Sequence, residues 1–289
     1  MNFNIAYMGP EWLFHLRRDF ILVLKHSLED LGHRVILSGA SVDSNCVNLV
    51  IGAYFLNKDS ITSLMKSEVK YVNVNTEIIG NDMLNHNPAK VDFLGGYMPM
   101  IKSGLFAWDV VQNNIGEYEK YGTNSQFLRW GFHPKMRDIS HRATKDLDYY
   151  FFGMMSPRRK ALVERINAAG FKGEVDHSCP YFLRNDRIAR AKVQLNIIQD
   201  SKYSHVNSFR ICYLANNNCY ILSEPEDDPA GYLKYADIAD EALLIERMSA
   251  ALERDRWRDF AAVAADEFET IKMTAIMDEL LDASFSRQT

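Results

Sequence analysis

The sequence has little cysteine, no long apolar run and no strong excess of one charge. Four cysteines in 289 residues, Cys46, Cys179, Cys212 and Cys219, form no CxxC pair, and no histidine lies at metal-site spacing from them. That argues against a disulfide framework and a zinc knuckle. Three of the four lie in or beside apolar runs, so buried, reduced thiols are expected, as in a cytoplasmic protein. No apolar stretch approaches the ~18 residues of a membrane span, so no integral membrane segment is expected. The start, MNFNIAYMGPEW, lacks the basic residues and continuous apolar run of a signal peptide. There is no internal repeat or low-complexity tract. A net charge of −5 speaks against a nucleic-acid backbone as the main partner, although a local basic patch is compatible with it. What is present is an ordinary globular composition, 47% hydrophobic and 25% charged, long enough for about two domains of roughly 150 residues.

The apolar pattern predicts alternating strands and helices. FNIAYM (3–8) is a buried strand, broken by Gly9-Pro10 and followed by a helix with Trp12, Leu16, Phe20, Val23, Leu24, Leu28 and Leu31 on one face. Gly32 stops it, and Arg34 to Leu37 resumes as strand, giving a βαβ opening and hence a parallel sheet. Further strands are expected at Val47–Ile51, Tyr71–Val74, Asp109–Val111 and Phe127–Trp130, with a helix near Glu117–Tyr121. The polar stretch 131–146, GFHPKMRDISHRATKD, predicts a connection between domains. A second series follows: strand Tyr149–Phe152, helix Pro157–Ala169, strand Gly173–Val175, helix Asn185–Ala191, strand Lys192–Ile198, helix Phe209–Ala215 and strand Cys219–Ser223. From Glu241 to about residue 283 the chain is mostly helical. The fold class is therefore α/β, two Rossmann-like βα domains facing each other across a cleft. The domains are 1–133 and 147–265, joined by a linker at 134–146, with a helix in 266–289 packing back on the first. Ligands of such sheets bind at the carboxyl ends of the strands.

Two stretches place chemistry there. In FFGMMSPRRK (151–160) Gly153 allows a tight turn, and Ser156 precedes a helix whose first turn carries Arg158, Arg159 and Lys160. Free amides and cations at a helix start attract phosphate. In LNIIQDSKYSHVNSFRICYLANNNCYILSEPEDD (195–228), Asn196 and Gln199 end a strand, Asp200 to His205 form a loop over the cleft, Asn207 and Ser208 are candidate caps, and Arg210 opens the next helix. Glu224 follows the last strand, so Arg210 and Glu224 converge on one rim, either as ligand groups or as a structural ion pair. The acids of EPEDDP (224–229) are a solvated turn rather than a metal site, and the histidines of HPKMRDISH form no ligand pair.

RICYLANNNCYILSE resembles a motif in the C-terminal half of bacterial GT-B glycosyltransferases, a family that includes proteins similar to spore-maturation glycosyltransferases. Arg210, Tyr213-Leu214-Ala215, Asn216 and Ser223-Glu224 carry the match. FFGMMSPRRKALVERINAAG resembles the opening of the same domain, WGFHP (130–134) the linker signature, LEDLGHRV (28–35) a first-domain segment, and Trp257 to Leu281 the closing helices. Where relatives place a glutamate near the Arg-bearing helix, this chain has HVNSFRIC, with Asn207 or His205 as substitutes. The resemblance implies a nucleotide-sugar donor, bound by Gly153, Ser156, Asn196, Asn207, Ser208 and Glu224, with Arg158 and Arg210 stabilising the leaving diphosphate. It implies no metal and no cofactor beyond the donor substrate. A glycan or lipid-linked acceptor, and no nucleic acid, would lie against Gly9, Glu11 and His15. Glu77, in NVNTE (73–77), would orient or deprotonate the acceptor. Surface-polysaccharide synthesis in the cytoplasm, with peripheral membrane contact left open, follows by the same resemblance. A non-catalytic sugar-nucleotide-binding module and a sugar-nucleotide epimerase are the alternatives.

Overall fold

The computed structural model describes residues 1–87, 89–199 and 205–286. The chain divides into two compact units, Met1–Trp130 with Met273–Thr289, and Gly131–Lys272.

The first unit runs β1 (Asn2–Tyr7), α1 (Glu11–Asp30), β2 (Arg34–Leu37), β3 (Val47–Ile51), α2 (Lys58–Lys66) and β4 (Tyr71–Asn75). A short hairpin, β5 (Ile79–Gly80) and β6 (Met83–Leu84), precedes α3 (Met98–Ser103), β7 (Phe106–Asp109), α4 (Asn114–Lys120) and β8 (Ser125–Phe127). Six strands pair in parallel in the order β2-β1-β3-β4-β7-β8. Strands β3 and β4 are buried along almost their whole length, because a parallel sheet is covered on both faces. Helix α1 turns Phe20, Val23, Leu24 and Leu28 inward, and Gly32, at φ +81°, ends it in a left-handed conformation that a β-carbon would strain.

Two strand expectations shift. The strand expected at Asp109–Val111 lies at Phe106–Asp109 instead: the Asp109 carboxylate accepts the Val111 amide at 2.7 Å and ends the ladder. The strand expected at Phe127–Trp130 covers Ser125–Phe127, and the buried Leu128 and Trp130 are core residues beyond the ladder.

The second unit contains β9 (Leu147–Phe152), α5 (Pro157–Ala168), β10 (Gly173–Asp176), α6 (Tyr181–Arg190), β11 (Ala191–Asn196), α7 (Ser208–Asn216), β12 (Tyr220–Ser223), β13 (Asp237–Ile238), α8 (Leu244–Leu252) and α9 (Trp257–Glu269). Its five parallel strands lie in the order β10-β9-β11-β12-β13. Tyr149, Phe151, Leu162, Ile166, Val193, Leu195, Leu222 and Trp257 fill its core. Residues 131–146 are not a free tether: Asn216 Oδ1 accepts the His133 amide at 2.9 Å, and Asn217 Oδ1 accepts those of Asp138 and Ile139 at 3.0 and 3.1 Å. The chain then returns to the first unit as α10 (Met273–Phe285), where Trp108 Nε1 donates to Ser284 Oγ at 2.9 Å and the Phe285 ring packs on Phe3 and Phe106.

Strand order reverses between β9 and β11 in the second unit and between β1 and β3 in the first. At such a switch point the loops leaving the carboxyl ends diverge and leave room for a ligand.

Candidate ligand site at the carboxyl ends of the strands

At the second unit's switch point the chain leaves β9 through Gly153, at φ +144°. A β-carbon there would come within 2.7 Å of Arg210 Nη2, so this position accepts only glycine without displacing the guanidinium. Arg210 is 4% exposed. Its Nη1 donates to Asn196 Oδ1 at 2.6 Å, its Nη2 to the Phe152 carbonyl at 2.7 Å, and its plane lies over Phe151 and Phe152. The shielded Nε finds no hydrogen-bond partner among the described residues. Burial, with the repulsion of Arg159 beside it, pulls its pKa down to about 9. Arg159, also buried, donates to the carbonyls of Ile197 and Met154, and burial lowers its pKa to about 10. Neither guanidinium forms an ion pair with a carboxylate among the described residues.

Helix α5 accounts for much of its own start. Ser156 Oγ accepts the Arg159 amide at 3.2 Å, Ser156 O accepts that of Lys160 at 2.9 Å, and Pro157 has no N–H. The first-turn amides expected to hold phosphate are therefore largely engaged, and the Ser156 hydroxyl also donates to the Gln199 carbonyl at 2.7 Å.

Arg158 faces elsewhere than expected. It pairs with Glu224 through two N–H groups, with Glu241 at 2.6 Å, and donates to the Ile198 carbonyl. Glu224 also accepts the Ile198 amide at 2.7 Å and is 2% exposed. The structural ion pair is thus Arg158–Glu224, not Arg210–Glu224, and both members are hydrogen-bonded within the protein. Nor is EPEDDP simply a solvated turn: Glu224 is buried, Glu226 is half-buried against Asn196, and Asp228 Oδ2 accepts the Leu233 amide at 2.5 Å.

Asn207 caps α7, accepting the Arg210 amide at 3.1 Å, and Ser208 is the buried first residue of that helix. His205 pairs with Asp227 at 3.2 Å, and the rest of the loop expected at Asp200–His205 lies outside the described residues. Gly153, Asn196 and Arg210 are thus brought together, with Asn207 and Ser208 one helix start away. The sequence names Arg159 only as one of three first-turn cations and Glu226 only as part of an acidic turn. The adjacent basic residues of PRRK gave no sign of which one turns inward.

In the first unit Gly9 leaves β1 where a β-carbon would meet the Tyr7 hydroxyl at 2.3 Å. Glu11 is exposed at the start of α1, while His15 Nδ1 is shielded without a hydrogen-bond partner among the described residues. Glu77, just past β4, is 7% exposed rather than a surface carboxylate. It accepts from Arg17 at 2.9 Å and Tyr54 at 2.7 Å, and from Asn85 and Lys90. Burial raises its pKa, but Arg17 and Lys90 outweigh that and hold it below the ordinary carboxylate range. A carboxylate so saturated is suited to holding groups in place, not to removing a proton, so of the two roles expected for Glu77, orienting the acceptor or deprotonating it, the geometry favours the first. Asp109, which the sequence reading missed as a site residue, is fully buried behind it. Burial lifts its pKa to about 7 against hydrogen bonds from Asn75, Asn114, the Val111 amide and Tyr118. Asn75 and Asn114 also donate to the Glu77 carbonyl, at 2.6 and 2.8 Å, linking the two acids.

Of the cysteines only Cys212 and Cys219 are buried; Cys46 and Cys179 are partly exposed, because their runs end at the surface. Among the described residues no group of three or more His, Cys, Asp or Glu is placed to hold a metal ion, and no helix is long and apolar enough to cross a membrane.

No family model and no curated relative matches this sequence. Solved structures do. An alpha-glucosyltransferase in complex with UDP-glucose and DNA containing an abasic site superposes with a TM-score of 0.67 at 10% identity, covering 98% of both chains. T4 phage BGT with its UDP-glucose substrate gives 0.63 at 13% identity, over 99% of this chain and 100% of that one. Sucrose-phosphate synthase from Thermosynechococcus elongatus gives 0.59 at 9% identity, over 99% and 100%. The fold is GT-B. In GT-B terms the second unit, with Gly153 and Arg210 at its switch point, is the C-terminal domain, and the first unit, with Gly9 and Glu77, is the N-terminal one. At these identities the likeness is one of fold.

Proposed function

We propose that the protein is a glycosyltransferase that moves a sugar from a nucleotide-diphosphate sugar to a hydroxyl acceptor in the cytoplasm, with arginine rather than a metal ion carrying the diphosphate charge. The observation that carries this is Arg210: a buried guanidinium with an unpartnered Nε, under a turn that tolerates only glycine, at the sheet's switch point. A buried guanidinium with an unsatisfied N–H and no carboxylate bonded to it among the described residues is unfavourable by itself and gains when an anion arrives. As the glycosidic bond breaks, negative charge gathers on the leaving diphosphate, and a donor already aimed there lowers the barrier without reorganising. Arg159 reinforces the positive potential while tying the Met154 turn to the end of β11. The rings of Tyr181 and Phe182, 37% and 59% exposed, start α6, which follows the Asp176 carbonyl that accepts the Gly153 amide, and they are our candidates to stack on the base of the donor. In the first unit, the Glu77 carboxylate holds Arg17, Tyr54, Asn85 and Lys90 in place, and in this proposal the cluster orients a hydroxyl-bearing acceptor.

The acceptor expected from the sequence is a glycan, as in bacterial surface-polysaccharide synthesis. A second acceptor class, a hydroxyl carried on DNA, is favoured by one finding: the alpha-glucosyltransferase of the same fold was solved with DNA in place. The test is a thermal-shift screen against nucleoside diphosphates and their sugar conjugates, followed by transfer assays with the best donor. Stabilisation by at least one sugar nucleotide, and labelled sugar appearing on oligosaccharide or on hydroxymethylated DNA, are expected. Binding without transfer to either would leave a non-catalytic binding module. Epimer formation without acceptor would make the protein an epimerase.

A further inference from the structure

Beside the buried arginine pair lies an acid, Glu226, with no cation bonded to it among the described residues. Glu226 follows β12 and is half-buried, and its carboxylate accepts from Asn196 Nδ2. The same amide accepts Arg210 Nη1 through its oxygen at 2.6 Å and donates to Ser223 Oγ at 2.8 Å. Asn196 thus stands between a guanidinium on one side and a carboxylate on the other. Among the described residues the other charges nearby are committed. Glu224 is held by Arg158, which also pairs with Glu241, and Asp227 is paired with His205. Facing Glu226 are therefore Arg210 from α7, Arg159 from α5, the neutral amide of Asn196 from β11, and Glu224 next to β12.

We propose that Glu226 is the internal counter-ion of the Arg159–Arg210 pair and gives up that role to the donor's diphosphate by taking a proton from solvent, so that donor binding strengthens as pH falls. This rests on the reading of the second unit as a nucleotide-sugar site. The reason is electrostatic. Two guanidiniums in a poorly solvated pocket repel each other, and a nearby carboxylate relieves that. A diphosphate brings two further negative charges to the same place, and an ionised Glu226 opposes them, whereas a protonated one is neutral and can donate to a phosphate oxygen. Burial already pushes the Glu226 pKa up to about 7, against the Asn196 hydrogen bond and the two arginines. A bound anion raises it further. The sign follows. Below about pH 7 the carboxyl is already protonated and binding is insensitive to pH. Above it, each binding event must take up a proton, and affinity falls toward tenfold per pH unit.

The probe is UDP-glucose, with GDP-mannose and dTDP-glucose as second probes, because their diphosphates are diesters that do not titrate between pH 6 and 9. Calorimetric titrations at pH 6 to 8.5, in buffers of different ionisation enthalpy, give both affinity and proton uptake. For the unaltered protein the expected result is an affinity drop of about tenfold from pH 7.5 to 8.5, with uptake approaching one proton. Glu226→Gln flattens the profile, abolishes the uptake and binds about tenfold tighter at pH 8.5. A flat profile without proton uptake in the unaltered protein overturns the proposal, as does a Glu226→Gln protein that still takes up the proton. If that variant does not fold, proton uptake by the unaltered protein still decides. Failure of all three sugar nucleotides to bind at any pH would instead overturn the donor-site reading and this inference with it.

Discussion

The two units end their central strands with opposite charge. In the second, the carboxyl ends of β9 and β11 gather two buried arginines whose N–H groups go to carbonyls and an amide. In the first, the ends of β4 and β7 gather two buried acids. Glu77 is surrounded by Arg17, Lys90, Tyr54 and Asn85, and Asp109 by Asn75, Asn114 and Tyr118. The difference lies in what is already satisfied. The acids of the first unit have their donors in place. The guanidinium of Arg210 retains a buried N–H without an acceptor among the described residues. One fold used twice therefore yields a prepaired cluster in one unit and, in the other, a buried guanidinium with a donor still unsatisfied among the described residues, and only that donor has a strong reason to recruit an ion.

The sharpest way to break that contrast is Arg210→Met, which keeps apolar volume and removes the charge. The expected outcome is loss of the shift caused by nucleoside diphosphates, corresponding to a fall in affinity of about 100-fold or more. The ligand-free protein should stay folded but be destabilised by about 1–3 kcal/mol, since Asn196 Oδ1 and the Phe152 carbonyl lose their buried donor. A variant that keeps the full ligand shift would remove Arg210 from the site. In the first unit Glu77→Gln tests prepairing directly. It should destabilise that unit by about 2–4 kcal/mol at pH 7, because Arg17 and Lys90 lose a buried partner. The Glu77 pKa is depressed in the folded state, so its contribution is present above the unfolded value of about 4.3 and is lost as pH falls through the lower folded value. Unaltered and variant proteins should thus converge in stability on acidification, and a gap independent of pH would show that the charge is irrelevant. Gly153→Ala, followed by denaturant unfolding and UDP titration, should cost about 1–3 kcal/mol of stability and weaken diphosphate binding about tenfold, through positive φ and the clash with Arg210. The smallest effect is expected from Phe182→Ala: a few-fold loss of nucleotide affinity, of the order of about 1 kcal/mol for one stacked base, with inorganic pyrophosphate binding unchanged. An equal loss for pyrophosphate would place Phe182 outside base recognition.

Much of this was legible in the residues. The strand-glycine-helix runs at 3–37 and 147–170 placed Gly9 and Gly153 at carboxyl ends, and the strand-loop-helix run at 195–228 placed Arg210, because apolar periodicity and helix punctuation are local properties. The Asn207 cap is legible in the same way. What could not be read was partnership. Arg158, Arg159 and Lys160 are adjacent in sequence, yet Arg158 turns to Glu224 and Glu241, Arg159 to carbonyls of Met154 and Ile197, and Lys160 stays exposed. Whether Glu77 orients or deprotonates is decided by Arg17, 60 residues away, and by Lys90, which both bond its carboxylate.

By itself the sequence determined the alternating elements, the parallel sheets they imply and the glycine turns that leave them, since these depend on residues within a few positions of one another. Only the tertiary structure decided which buried charges are paired and which are not. Desolvation and Coulomb attraction act through space, so the neighbours that set a guanidinium's or a carboxylate's chemistry come from strands and helices distant along the chain.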